Sequence, residues 1–416
     1  MRAGRYDHHM SSSNCNRREF LAAAAVTTAL RPQRVMGANN RIGLAVIGCG
    51  NRGHVREVLP LLGETNTDFL AVCDTWRQQR ETAAAAVKQA TGKAPEQYVN
   101  YHDVLAQKNI DAVVIATPDH QHCTMLVDAL RAGKDVYIEK PLAMNMRELN
   151  DAVDAVRRSG RVVQVGTQVR SWAPSVAARA FVASGGLGRI FKIEQSRNSY
   201  YPYWQRVSER PVAEGDVDWK AFLMRSRYRP FEADQYAGWY GYRDFSLGPH
   251  SQLMVHFIDL VHFVTGAKYP KRVVAMGGTW CWKDKRTAPD SIEVVLEYPD
   301  DGFLVRYNST FGTNDNSYLK FFGTRGVMDA TRWNEPWKLK GEKAAADAIP
   351  PGAGIPVVES TDHMKNFLDC VRSRKTPAAP IEAGYAHAVA ALMADASYVH
   401  GTRMVHDPSK RTIKAG

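Results

Sequence analysis

The residues best placed to do chemistry begin with a glycine loop, Gly48-Cys49-Gly50-Asn51-Arg52-Gly53, between the apolar run Ile42–Ile47 and a helical stretch. In that setting the first glycine permits a tight turn and the second lets backbone approach a pyrophosphate. The third allows close helix packing, and the helix N-terminus faces the phosphates. Asp74 closes the next apolar run, 21 residues after Gly53. A carboxylate there accepts hydrogen bonds from adenosine ribose hydroxyls and repels a 2′-phosphate, which favours NAD(H). Arg52 keeps NADP(H) open by offering compensating charge. Lys140 stands at the carboxyl end of a later strand, the crevice where doubly wound sheets bind ligands. Gln252 and His256 lie one helical turn apart and share a face, so both can point at one substrate. His250, His256, Asp259 and His262 are metal-ligand types, but His256 and His262 diverge around a helix and no metal is assigned.

These residues need elements to hold them. Between Arg41 and Gly166 strand and helix alternate: apolar runs at Ile42–Ile47, Phe69–Cys73, Ala112–Ala116, Val136–Ile138 and Val162–Val165 are separated by helical stretches near 54–62, 76–91, 101–107, 120–132 and 145–159. Asn145 with Glu148 forms a capping box, and Gly160 follows the helix end. The alternation predicts a parallel, doubly wound sheet. The second half reads differently, as an open, mostly antiparallel sheet covered on one face by helices. Its strands are Ile190–Ser196, Arg272–Met276, Ile292–Tyr298, Phe303–Thr310 and Tyr318–Phe322, with Pro299-Asp300-Asp301-Gly302 as a hairpin turn. Late helices near 361–373 and 382–400 are expected to return toward the first domain. The expected fold is therefore an α/β Rossmann domain, residues 39–166, followed by an α+β domain, residues 167–375. A helix and tail, residues 376–416, complete the chain.

Two longer motifs give these positions a family. Ala116-Thr117-Pro118-Asp119-His120-Gln121-His122 follows one strand, and Ala132-Gly133-Lys134-Asp135-Val136-Tyr137-Ile138-Glu139-Lys140-Pro141-Leu142-Ala143 contains the next. With the glycine loop and Asp74, they resemble the Gfo/Idh/MocA family of glucose–fructose oxidoreductase and inositol dehydrogenase relatives, over nearly all of residues 40–400. The resemblance implies that Glu139-Lys140-Pro141 lies beside the nicotinamide. It also implies a second-domain helix carrying Asp, three residues, His, two residues, Asp. His256 and Asp259 match that pattern, while Gln252 stands where the family has Asp.

On this implication Lys140 orients a substrate hydroxyl and stabilises developing negative charge, and His256 is the general base. Gln252 can take no proton; it hydrogen-bonds substrate or sets the tautomer of His256. Thr117, Pro118, His122, Glu139 and Gln168 join Gly48, Gly50, Asn51, Arg52, Gly53, Asp74 and Lys140 as the implied cofactor-binding set. Thr167 and Arg170 also fall near the nicotinamide and are candidates to touch substrate. His120 and His122 line the loop rather than react.

Residues 200–245 hold 13 aromatics among 46 residues, against 10% for the chain. Aromatic faces stack on the apolar faces of sugars; the other reading is an oligomer contact or an insertion packed on its own rings. The 416 residues carry a net charge of +11. Residues 1–38 contain six arginines and two acids, so +7 remains for the rest. No basic run or reader motif accompanies that charge, so no nucleic-acid partner is expected. Asn16-Arg17-Arg18-Glu19-Phe20-Leu21, a weakly apolar stretch and a small-residue zone around Gly37 and Ala38 resemble a twin-arginine (Tat) export signal. A periplasmic or otherwise exported protein that uses the Tat machinery is expected, with cleavage after Gly37 or Ala38. No run is long and apolar enough for an ordinary membrane span. Five cysteines remain after the leader, with no CxxC spacing, and read as buried free thiols.

The expected function is an NAD(P)-dependent oxidoreductase acting on a sugar, sugar derivative or polyol. Its cofactor is one that can be retained and recycled, and it assembles as a homo-oligomer through the second domain's sheet. Two alternatives stand beside it. One is an NAD-dependent glycoside hydrolase working by transient oxidation and elimination; the other is a non-catalytic sugar- or nucleotide-binding protein.

Overall fold

A computed structural model describes residues 41–50, 53–200 and 211–416. The expected leader, the cofactor candidates Asn51 and Arg52, and Tyr201, Tyr203, Trp204 and Arg206 lie outside the described residues.

Six parallel strands form the first sheet: β1 Ile42–Ile47, β2 Thr67–Cys73, β3 Glu96–Tyr98, β4 Ala112–Ile115, β5 Asp135–Ile138 and β6 Val163–Val165. Their order is β3-β2-β1-β4-β5-β6. Every residue of β1, β4 and β5 is buried, as expected of strands covered on both faces. The strand order reverses between β1 and β4, which opens a crevice at their carboxyl ends. β3 has three residues, none of them buried, and so carries no apolar signal in the sequence. The stretch 54–62 is not one helix. It divides into Val55–Val58 and a 3₁₀ turn Leu59–Leu61, with Pro60, which has no N–H to donate, in the 3₁₀ turn. Asn145 accepts from the Glu148 N–H, and Gly160 ends that helix in the left-handed region.

The second sheet has nine strands. Those after β6 are β7 Ile190–Ser196, β8 Arg272–Gly278, β9 Ser291–Tyr298, β10 Phe303–Thr310, β11 Tyr318–Gly323, β12 Gly326–Asp329, β13 Lys338–Gly341, β14 Met404–Asp407 and β15 Thr412–Ala415. Their order is β13-β12-β11-β7-β10-β9-β8-β14-β15, and only β7 and β10 pair in parallel. The Pro299–Gly302 turn joins β9 to β10, with Tyr298 opposite Phe303 and Gly302 at φ +78°. Residues 404–415, expected as tail, extend the sheet by two strands.

Inward residues of β9 and β10 pack beneath the helix Pro249–Thr265, where Phe257 stacks on Tyr307 at 5.9 Å. The late helices, His363–Ser373 and Ile381–His400, reach the first sheet. A ring nitrogen of His363 lies 3.0 Å from the Val165 carbonyl. A Cβ on Gly384 would fall 2.7 Å from Val165, so only glycine lets that helix approach β6 so closely. Among the described residues no helix is long and apolar enough to cross a membrane.

Candidate active site

A cleft of about 1040 Å³ opens at the crevice between β1 and β4. Gly48, Gly50, Asp74, Thr117, Pro118, Lys140 and Gln252 all line it.

The glycine loop fits a dinucleotide position by position. Gly48 has φ +89°, and a Cβ there would meet the Ala116 carbonyl at 2.5 Å. A Cβ on Gly53 would sit 2.7 Å from the Gly48 carbonyl, so the helix start packs directly on the turn. Nothing lies within 4 Å of a Cβ built on Gly50, which leaves space for a ligand against bare backbone. Asp74 also holds the loop: its carboxylate accepts from the Cys49 N–H at 2.7 Å and the Trp76 N–H at 2.8 Å. Burial pushes this carboxyl up, while the two N–H groups and Arg80 oppose the shift.

Glu139 and Lys140 directly follow β5, and their side chains point to opposite sides. Lys140 faces the cleft. Its Nζ donates to Gln252 Oε1 at 3.0 Å, and Gln252 Nε2 donates to Asp119 Oδ1 at 2.6 Å. Asp119 Oδ2 accepts from Ser246 Oγ at 2.7 Å.

Glu139 points away, into a buried knot. One of its oxygens lies 2.7 Å from His54 Nε2 and accepts from Gln168 Nε2 at 2.8 Å. Burial would raise the Glu139 carboxyl, but His54, Lys140 and His256 hold it below the usual carboxylate range. Burial likewise works against a charged His54; Glu139 and Glu57 overcome it and raise the imidazole to about 9.

The other implied residues separate into two groups. His122 is buried, with ring nitrogens 2.7 Å from the Pro141 carbonyl and 2.8 Å from the Thr117 carbonyl, so it ties two loops together. His256 lies one turn along from Gln252, half-buried, its ring edge-on to Trp333 at 6.4 Å, and does not line the cleft. Thr167 is buried, and Arg170 is taken by Asp259 through bonds of 2.6 and 2.8 Å, which removes it as a substrate contact. Burial pushes His120 down to about 4, so it is neutral near pH 7. Among the described residues no group of three or more His, Cys, Asp or Glu gathers as a metal site.

The aromatic segment serves two roles. Trp219, Tyr242 and Phe245 pack with Trp76 in a cluster of their own, while Phe222, Tyr236, Trp239 and Tyr240 border the cleft. The segment also clasps the first sheet. Val217 pairs with Trp76, the Asp218 N–H donates to the Thr75 carbonyl at 2.9 Å, and Gln121 Nε2 donates to the Phe222 carbonyl at 2.7 Å. Sequence reasoning assigned no role to Asp119, Ser246, His54 or this clasp. The one available signal was an acidic residue directly after Thr117-Pro118, at the carboxyl end of β4.

Residues 42–167 match the oxidoreductase family with NAD-binding Rossmann fold, Gfo/Idh/MocA, and residues 220–404 match that family's C-terminal alpha/beta domain. Inositol 2-dehydrogenase/D-chiro-inositol 3-dehydrogenase of Lactiplantibacillus plantarum is 26% identical over 185 residues, 43% of this chain and 51% of that protein. A glycosyl hydrolase family 109 protein of Shewanella sp. is 25% identical over 288 residues, 62% of this chain and 59% of its own length. The chain thus spans between half and three-fifths of these curated relatives. The WlbA dehydrogenase from Bordetella pertussis, solved in complex with NADH and UDP-GlcNAcA, superposes with a TM-score of 0.65 at 20% identity. The likeness covers 88% of this chain and 98% of that one. With both halves matched and the glycine loop, Asp74 and Lys140 around one cleft, the chain belongs to the Gfo/Idh/MocA oxidoreductase family.

Proposed function

We propose that this protein is an exported NAD-dependent oxidoreductase that interconverts a hydroxyl and a carbonyl on a sugar, sugar derivative or polyol. The observation that carries the reading is Lys140, aimed into the cleft at the switch point of the sheet and held there by Gln252. A bound nicotinamide supplies the hydride acceptor or donor for the reacting carbon. Lys140 donates to the substrate oxygen and stabilises negative charge as its proton leaves. The family resemblance makes His256, one helical turn beyond Gln252 and outside the lining of the cleft, the residue that takes that proton. The inositol dehydrogenase relative supports a polyol-like substrate. Cleft aromatics Tyr236, Trp239 and Tyr240 offer faces on which a sugar can stack.

The clasp over the cleft supports a retained cofactor, and the Arg17-Arg18 leader supports Tat export of the folded, loaded protein to the periplasm. The test is to denature protein purified from the exported fraction and assay the supernatant for nicotinamide dinucleotide. Sugars are then screened for a change in the redox state of the bound cofactor. Lys140→Ala is expected to abolish that change, read per mole of cofactor still bound; a variant that still turns over ends the assignment.

The family 109 likeness, which extends over more of the chain than the inositol dehydrogenase one, favours one second reading: glycoside cleavage by transient oxidation and elimination. Aglycone release without net nicotinamide turnover distinguishes it.

A further inference from the structure

We propose that Asp119 supplies a negative charge to this active site, acting through the Gln252 amide as a positioning residue that helps keep the Lys140 ammonium charged and aimed into the cleft. The proposal rests on the assignment of Lys140 to the reacting centre and goes beyond it.

The direction of each hydrogen bond decides the argument. An ammonium only donates, so the Gln252 atom facing Lys140 at 3.0 Å is the carbonyl oxygen. The amide nitrogen is thereby turned toward Asp119 Oδ1 and donates to it at 2.6 Å. On the far side Ser246 Oγ donates to Asp119 Oδ2 at 2.7 Å and accepts from the Gly248 N–H at 3.0 Å. Both carboxylate oxygens therefore accept, which is the bonding pattern of the anion. Asp119 is 2% exposed, and a buried anion needs a nearby positive charge. Burial pushes the Asp119 carboxyl up; His122 from its own helix, Ser246, Lys140 just after β5 and Gln252 all oppose that shift and favour the anion. Glu139 is a second anion facing Lys140, shared with His54 and Gln168. Gln252 carries no charge, so through it Asp119 adds a further buried anion that favours the Lys140 ammonium. The amide between them transmits orientation: rotating it would set a carbonyl against a carboxylate and an NH₂ against an ammonium.

The test reads Lys140 without turnover. The full-length protein, free of substrate, is labelled with trace acetic anhydride across a pH series, and acetylation of Lys140 is quantified by mass spectrometry. Asp119→Asn is expected to move the labelling midpoint of Lys140 to lower pH by about one unit, since the ammonium loses a neighbouring anion. The double variant Asp119→Asn with Gln252→Glu exchanges carboxylate and amide at nearly constant shape, and returns the midpoint toward the wild-type value. Asp119→Ser replaces the asparagine variant should that one not fold. In the loaded enzyme the same single change lowers kcat by about tenfold or more with little change in KM, and moves the alkaline limb of the rate profile down. An unchanged midpoint in a folded, cofactor-binding Asp119→Asn protein overturns the proposal. A shifted midpoint in a protein that oxidises and reduces no sugar overturns the oxidoreductase reading and leaves the Asp119 assignment standing.

Discussion

His54 shows how one residue ties the cofactor loop to the reacting strand. It directly follows the glycine loop, and its ring nitrogens reach Glu57 at 2.5 Å and Glu139 at 2.7 Å. Burial alone would lower the imidazole; the two carboxylates raise it to about 9 from the ordinary 6.5. The folded value exceeds the unfolded one, so the stabilisation is complete below about pH 6.5 and is lost as pH rises through about 9. That shift corresponds to at most about 3.5 kcal/mol. Thermal unfolding followed by circular dichroism is expected to show a midpoint falling between about pH 7 and pH 10, with the fall largely removed in His54→Gln. A slope unchanged by the substitution disproves the coupling. The same residue marks the limit of sequence reading. The roles of Gly48, Gly50 and Gly53 follow from local spacing, and Lys140 from a contiguous motif. His54 and Asp119 gain their roles only from partners 85 and 133 positions away, pairings that no local pattern encodes.

At the scale of elements, strong periodicity was legible and short polar pairing was not. β10 matches its expected limits because alternating burial writes a period of two into the sequence, and β7 matches as well although its burial does not alternate strictly. β3 and β13, with few apolar residues, exist because a neighbouring edge offers backbone partners. The clasp is an extreme case: a single bridge, Trp76 to Val217, joins segments 141 positions apart. Its rings give it rigidity, with Trp76 edge-on to Tyr236 at 5.9 Å and Trp219 stacked on Phe222 at 5.1 Å. Trp76 also lines the cleft, so removing it loosens the clasp where cofactor binds. Trp76→Ala forfeits roughly 3 kcal/mol of packing. It is expected to speed release of bound dinucleotide by at least about tenfold, as followed by exchange into free labelled NAD. A release rate equal to the parent protein's means the clasp does not retain cofactor.

At the scale of the whole molecule, the nine-stranded sheet has one face under helices and, among the described residues, one face open. Along β7, β10, β9 and β8, neighbours in the sheet, the open face presents Phe191, Leu304, Val295, Val274 and Met276, between 43% and 73% exposed. Charged residues alternate with them in register, Arg306 opposite Val295 and Glu293 opposite Met276, and pair within the chain as Arg306 with Glu293 and Arg272 with Glu297. Nine strands at about 4.8 Å spacing span about 38 Å, and six residues at about 3.3 Å give about 20 Å, roughly 800 Å² in all. That is about the area each partner contributes to a stable interface. A two-fold contact between identical sheets requires each patch to complement itself, and a face that interleaves apolar side chains with both signs of charge can do so. A dimer through this face leaves the cleft open, since the cleft lies at the carboxyl ends of the first sheet. Replacing Val295 and Met276 together by lysine places like charges across such a contact. The double variant is expected to sediment as a monomer while keeping its cofactor and its thermal midpoint within a few degrees. A parent protein that sediments as a monomer at micromolar concentration, or a variant with unchanged mass, means the oligomer does not form through this face.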